Sequence, residues 1–223
     1  MIPHYFALED DEKMQFIKDQ GAGTLVTARA DGTIDATLLP IAIKDDVLLL
    51  HMARFNSHWK EIKQPTPAAM IFTGPHDFVN SRDYEIPDGS AVASTWDYTQ
   101  VKIHGTVTVH DNPEWVREAV LHLTADWDKA QAEEMDDKYL TRATKAIVGL
   151  SMTIDRIDGK AKLSQNKLPQ ERQRISQTLR ERDTERARAL ADDVDEAPSK
   201  ARRVPFLGGV FRQVDVCRKS AEK

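Results

Sequence analysis

Hydrophobic positions recur along this chain with two different periods, and the change from one to the other marks out its elements. Residues 9–20 are largely polar, with acidic residues at the start and Gly21 directly after them, the arrangement of a short helix with a left-handed C-cap. From there the spacing shortens to that of strands. "GTLVTARADGTIDATLLPIAI" holds two β-rich runs around Asp31 and Gly32, a hairpin signal, and a second turn at 44–46 leads into "VLLLHM". Pro65 and Pro67 break the pattern before "AAMIFTG" at 68–74. Four such strands joined by short connections predict an antiparallel sheet curled towards a barrel.

The run at 94–111, "STWDYTQVKIHGTVTVHD", is the longest strand candidate. With a period of two, Val101, Ile103, Val107 and Val109 fall on one face, and Trp96, Tyr98, Gln100, Lys102, His104, Thr106 and Thr108 on the other. The first face reads as core and the second as a polar-aromatic wall, with Gly105 the point where a bulge would break the register. "NPEWVREAVLHLTADW" predicts a helix capped by Asn112, with Pro113 at its first position and an apolar stripe through Trp115, Val116, Val120 and Leu123. A second helix covers 136–146, and "IVGLSMTIDRI" returns to strand, closed by Asp158 and Gly159. A charged helix is expected over 169–191 with Ile175, Leu179, Ala187 and Leu190 as its stripe. "DDVDEAPSKARR" reads as a linker and "VPFLGGVFRQVDVC" as a small apolar ending. The fold class is therefore α+β, mainly β. The expected division is a β-barrel domain with inserted helices over 1–167, a C-terminal charged helix over 168–193, and a linker and basic tail over 194–223.

At 223 residues and 40% apolar content the chain can bury a sizeable core. Its one cysteine, Cys217, excludes an internal disulfide and a CxxC site, which fits a reducing cytoplasm. "MIPHYFALEDDEK" lacks the basic flank and apolar run of a signal peptide, and no apolar run approaches the ~20 residues of a membrane span, so a cytoplasmic protein with no membrane partner is expected. Charge is uneven: residues 1–159 carry 15 Lys and Arg against 26 Asp and Glu, whereas residues 160–223 carry 16 against 10. Such an asymmetry marks either a solvated helix with a basic end or an interaction tail.

The densest chemistry lies in "HMARFNSHWK" at 51–60. His51 and His58 are seven apart, not a helical i, i+4 pair, and the chain has no HExxH or clustered Cys/His set, so no metal site is assigned. GxSxG, GxGxxG and GxxxxGK[ST] are all absent, which removes the usual hydrolase and nucleotide-loop readings. Anion binding remains. Arg54 and Asn56, just beyond a strand, supply a fork and an amide, and "KAKLSQNK" adds Lys162, Ser164, Gln165, Asn166 and Lys167. The residues leave a second reading open, in which Arg54 makes a surface ion pair and "LSQNK" is a polar turn. The wall carrying Trp96, Tyr98, Lys102 and His104 suits a flat aromatic ligand, although aromatic residues on a strand more often serve a core or subunit interface.

"IPHYF", "GTLVT", "ATLLPI", "HMARFNSHW", "FTGPHDFV", "STWDYTQVKIHG", "IVGLSMTIDRI" and "KLSQN" stand in the order and spacing of the PaiB-like, FMN-binding negative transcriptional regulator family, which the chain resembles over about residues 1–190. That resemblance implies a split β-barrel of the flavin-reductase and pyridoxamine-phosphate-oxidase type, a homodimer with FMN at the subunit interface. It would place Thr37, Leu38, Leu39 and Pro40 along the isoalloxazine edge. Arg54, Asn56 and Trp59 would serve the phosphate and ribityl end, joined by Lys162, Ser164, Gln165 and Asn166, and Trp96, Tyr98 and His104 would wall the dimer cleft. Two segments depart from the family pattern: "NSRDY" follows "GPHDFV", and "VASTWDY" brings Asp97 where an amide is expected. The implied function is a redox- or ligand-responsive regulator or an FMN-dependent oxidoreductase. Haem in place of flavin, with His51, His58 or His104 as ligand, and a non-enzymatic DNA-binding regulator using the basic stretch 160–203 are the alternatives. No helix-turn-helix pattern supports the last.

Overall fold

The structure, a computed structural model, describes residues 2–63, 65–83 and 93–198. Helix α1 (Asp10–Gln20) opens on a capping box in which the Glu12 carboxylate accepts from the Glu9 backbone N–H at 2.8 Å. It ends at Gly21, where φ is 59° and an added Cβ would lie 1.8 Å from the Trp127 ring, so conformation and space both require glycine. Strands β1 (Ala22–Ala28) and β2 (Ile34–Pro40) form the hairpin expected around Asp31 and Gly32, in register from Ala22 opposite Pro40 to Ala28 opposite Ile34. The Asp31 carboxylate accepts from both the backbone N–H and the hydroxyl of Thr33 and so closes the loop. β3 (Ala42–Lys44) and β4 (Val47–Ala53) are joined by Asp45 and Asp46 alone, both at positive φ, the two-residue turn whose twist matches paired strands.

A short helix α2 (His58–Glu61) precedes β5 (Thr66–Val79) and β6 (Thr95–His110). β5 is longer than the expected 68–74 and contains Pro67. Its pairing with β1 begins only at Ala68, so the missing proline N–H deprives no ladder position in that pairing. β6 runs through Gly105 without a break, and its odd-numbered residues from 97 to 107 are buried, as the alternation predicts. Then come α3 (Pro113–Trp127), capped by Asn112, α4 (Lys129–Glu134), which the pattern did not reveal, and α5 (Asp137–Ala146).

β7 (Ile147–Thr153) and β8 (Arg156–Lys162) correct the expectation of a turn at Asp158 and Gly159, which lie inside β8. The chain leaves strand geometry only at Ile154 and Asp155, where the Thr153 hydroxyl donates to Asp155 at 2.8 Å and the Asp155 N–H donates to the His104 carbonyl at 2.9 Å, so that β8 continues along β6 in the register set by Val107 opposite Met152. The single helix expected over 169–191 is two, α6 (Pro169–Glu181) and α7 (Glu185–Glu196). Asp183 at φ 55° breaks the chain, and the Thr184 hydroxyl caps α7 by accepting from the Ala187 N–H. The first part of the expected linker is therefore helical. The rest of the tail from residue 199, Cys217 included, and the stretch 84–92 lie outside the described residues.

The strands make one antiparallel sheet in the order β2-β1-β5-β6-β7-β4-β3, with β8 paired to β6. The chain divides into two compact units. In the larger, residues 9–73 and 100–159, Leu25, Leu50, Met70, Phe72, Ile103 and Leu150 are fully buried on the inner face of the strands. Each contributes about 1.5–3 kcal/mol relative to exposure. On the outer face Ala42, Leu49, Leu123 and Trp115 pack α3 against β3 and β4. In the smaller unit, residues 1–8, 74–99 and 160–223, α6 and α7 close on Val79, Ala161 and Leu163 through Ile175, Leu179, Ala187, Leu190 and Val194. The stripe read as one helix is the facing surface of a helical hairpin.

Candidate functional site

The "HMARFNSHWK" corner belongs to the larger unit, and its polar groups are almost all engaged. His58, buried at the start of α2, shares Nε2 with the Thr27 hydroxyl at 2.9 Å and Nδ1 with the Thr37 hydroxyl at 2.8 Å. Asn56 accepts from the His58 backbone N–H at 2.9 Å. Burial holds the His58 pKa below the usual imidazole value, with Asp35 opposing and Arg29 reinforcing the shift, so the neutral ring bridges two strands. With both nitrogens engaged it has none to offer a metal or haem.

Arg54 follows β4. Its Nη1 and Nη2 fork the Asp111 carboxylate at 3.1 and 2.5 Å, while Nε and Nη2 donate to the carbonyls of Lys145 and Ile147 at 3.1 and 2.9 Å. The hydrogen bond to Asp111 raises the Arg54 pKa and lowers that of Asp111. The guanidinium thus ties the ends of β4 and β6 to the junction of α5 and β7. Trp59 Nε1 donates to the Arg54 carbonyl at 3.0 Å and anchors the corner, and Phe55 between them is 90% exposed.

On β2 the residues alternate. Leu39 is buried and Thr37 is held by His58, whereas Ile34, Ala36, Leu38 and Pro40 face outward, with Leu38 71% exposed. β2 also ends the hydrogen-bonded order of the sheet. An edge strand with an exposed apolar face is a surface that folding left uncovered.

Four further histidines belong to this unit, of which His122 on α3 is exposed. His104 Nε2 lies 3.1 Å from Asp158, which also pairs with Arg156 at 3.2 Å. His110 Nε2 lies 2.7 Å from the Ser151 hydroxyl, and its ring stacks on Trp115 at 3.9 Å and 10°. His51 Nδ1 is buried with no hydrogen-bond partner, and burial lowers the pKa of both His51 and His110. Among the described residues no group of three or more His, Cys, Asp or Glu is gathered as metal ligands would be.

The remaining sequence-derived candidates gather in the smaller unit around Asp97, whose side chain is 0% exposed. Lys162 Nζ donates to Asp97 Oδ1, the Thr95 hydroxyl and the Trp96 carbonyl, each at 2.7 Å, and the Ser164 hydroxyl donates to Asp97 Oδ2 at 2.6 Å. Ser164 holds a left-handed φ of 57° to reach it. Gln165 folds back on the backbone, accepting from the Leu163 N–H and donating to the Ala161 carbonyl, and Asn166 is exposed. "TWDY" and "KLSQN" are therefore each other's partners. The signal for this was present, because alternation puts Asp97 on the core face of β6, and a buried carboxylate requires a cation and a donor. Trp96 and Tyr98 stay on the outer face, Trp96 donating from Nε1 to His76 Nδ1 at 3.1 Å.

The family described as "Putative FMN-binding domain" matches residues 1–156. The chain belongs to this FMN-binding family. It is 26% identical over 213 residues to "Protease synthase and sporulation protein PAI 2" of Bacillus subtilis, covering 89% of this chain and 98% of that protein. Among solved structures, the FAD and haem binding protein from Mycobacterium smegmatis superposes with a TM-score of 0.54 at 19% identity, over 69% of this chain and 71% of that one. The flavocytochrome Anf3 from Azotobacter vinelandii gives 0.54 at 16% identity, over 71% and 70%. At these identities the structures establish the shared split-barrel fold. FMN is the cofactor of the family to which this chain belongs.

Proposed function

We propose that the protein binds FMN along the exposed face and free edge of β2, as a homodimer, and serves as a flavin-dependent redox protein. The observation that carries this reading is β2 itself, an edge strand presenting Ile34 and Leu38 to solvent in a chain whose family binds FMN. A flat ring system fits an apolar strand face bordered by unpaired backbone donors and acceptors. FMN supplies the electron chemistry when bound, so the chain need provide no catalytic acid or base. Thr37, held by His58, and the buried Leu39 keep the strand rigid, while Asn56 and Trp59 fix the corner beyond β4.

The phosphate end is less well served within one copy. Arg54 is committed to Asp111, and Lys162 and Ser164 to Asp97, so these donors reach an anion only by leaving a carboxylate. A second copy docked on the exposed Ile34, Leu38 and Phe55 would supply cations and cover that apolar surface. Flavin fluorescence titration and analytical ultracentrifugation test this together. Leu38→Asp should weaken FMN binding by about tenfold and shift the protein to monomer, since a charge then faces a desolvated surface. A wild-type protein that is monomeric and leaves flavin emission unchanged sinks the reading.

Haem is a second reading with one observation in its favour, the buried and unpartnered His51 Nδ1. A Soret band that His51→Ala abolishes would put haem in place of flavin. For direct DNA contact the described residues offer little. Arg180 pairs with Asp192 and Asp195, Arg182 and Arg186 with Asp77, and Arg188 with Asp183, so the positive charge of α6 and α7 is largely met within the unit. Among the described residues no helix is long and apolar enough to cross a membrane.

A further inference from the structure

One cluster in the smaller unit is used neither by its core nor by the Asp97 network. Trp96 and Tyr98 stand two residues apart on the outer face of β6, so their Cα atoms are about 7 Å apart along the strand. Trp96 is 44% exposed, too much for a core residue, and its ring lies beside that of His76 from β5 at 5.8 Å and 34°. The indole N–H donates to His76 Nδ1 at 3.1 Å, which makes Nδ1 the acceptor and leaves the imidazole proton on Nε2. That Nε2–H has no partner among the described residues.

At the other side of the cluster, Lys160 from β8 holds its ammonium 5.1 Å above the Tyr98 ring and 6.0 Å from Phe6. No carboxylate among the described residues pairs with it. Among the described residues the His76 Nε2–H thus has no acceptor and the Lys160 ammonium no carboxylate, while Trp96 keeps nearly half of its surface exposed. The donors flank the rings: an N–H at Trp96 and a positive charge at Tyr98.

From this arrangement we propose that the outer face of β6 in this unit is a binding site for a small planar aromatic anion, stacked on Trp96 and Tyr98. Its negative group is met by Lys160 and a second acceptor by the His76 Nε2–H. Flatness is selected by the rings, negative charge by Lys160, and orientation by the single imidazole donor. The site uses none of the β2 residues assigned to FMN, and it stands whether or not that assignment does.

2-Aminobenzoate is a suitable probe, because it is planar, anionic and fluorescent and accepts energy from tryptophan. The full chain should bind it with saturable quenching of tryptophan emission. Benzoate should displace it, whereas cyclohexanecarboxylate, which keeps the charge but loses the flat face, and benzamide, which keeps the ring but loses the charge, should each compete about tenfold less well. Trp96→Leu and Lys160→Gln should each weaken the probe by about tenfold, with Lys160→Arg restoring most of the affinity. His76→Ala should weaken it by about fivefold. Tyr139→Ser, remote in sequence and 45% exposed, should leave the affinity unchanged and controls for nonspecific effects. Thermal melts of each variant separate loss of the site from loss of the fold. The proposal is overturned if cyclohexanecarboxylate competes as well as benzoate, or if folded Trp96→Leu and Lys160→Gln bind the probe like the wild type. It is equally overturned if FMN displaces the probe one for one, since the rings would then belong to the flavin.

Discussion

Replacing Lys162 by methionine tests how the two most distinctive motifs of the chain hold together. The substitution keeps the length of the side chain and removes its charge, and with it three hydrogen bonds of 2.7 Å, to Asp97, Thr95 and the Trp96 carbonyl. Asp97 is 0% exposed and is left with the Ser164 hydroxyl alone. Removing one partner of a buried pair costs about 3–5 kcal/mol, chiefly because the other charge stays buried and unpaired. Lys162 is itself 22% exposed, which puts the expectation at the lower end, about 3 kcal/mol. For a urea dependence of about 2 kcal/mol per molar this moves the unfolding midpoint down by about 1.5 M.

Asp97→Asn removes the buried charge instead and leaves an ammonium that can reach water, so it should cost less, about 1–2 kcal/mol. The double variant should recover at least half of the Lys162→Met loss. The assay is urea unfolding of FMN-free protein, followed by circular dichroism, for both single variants and the double. A Lys162→Met cost below about 1 kcal/mol, or strict additivity of the two changes, refutes the argument. If flavin affinity falls while flavin-free stability is untouched, Lys162 serves the phosphate and not Asp97.

Acid should weaken the protein through its histidines. His51, His58 and His110 all have pKa values held below the usual 6.5 by burial, so the unfolded chain binds protons more readily than the folded one. Their contribution is complete above about pH 6.5 and is lost as pH falls below it towards the folded values. His58→Gln should flatten the stability profile between about pH 5 and 7, and an unchanged slope would remove His58 from the account. Asp193 on α7 behaves in the opposite sense, because burial first, and then Glu196 and Asp192, push its pKa from 3.8 up to about 6. Its folded form favours the proton, so stability is fully present below about pH 4 and is lost as pH rises through about 6. Asp193→Asn should therefore stabilise the protein at pH 7.5 by about 1 kcal/mol, after allowance for its partial exposure, and have no benefit at pH 4. A thermal melt at each pH decides it.

Elements whose signal is local were legible. α1 with its Gly21 cap, the Asp31–Gly32 hairpin, the Asn112 and Pro113 start of α3 and the alternation of β6 each depend on residues within a few positions of one another. The failures were local too, but they were contests between competing signals. Asp158 and Gly159 look like a turn, yet the strand run is interrupted only at Ile154 and Asp155 and then passes through both, and the stripe through Ile175, Leu179, Ala187 and Leu190 is continuous across a break made by Asp183 and Thr184. Hydrophobic spacing says which residues are buried. It does not say whether they share one helix or face each other from two.

The candidate site divides along the same line. The sequence alone identified Arg54, Asn56, Lys162, Ser164 and Gln165 as donors near strand ends, with Lys162 in fact the last residue of β8, and showed that Trp96 and Tyr98 share the outward face of β6. It also carried the motifs that place the chain in an FMN-binding family. Only the tertiary structure decided where those donors point. Asp111 is 57 residues from Arg54 and Asp97 is 65 from Lys162, and both carboxylates take the cation that the motifs alone offered to a phosphate. A cation's affinity for an anion is set by side-chain chemistry and can be read from residue type. Which anion satisfies it depends on which one folding brings within hydrogen-bond reach, and that distance exists only once the strands have paired.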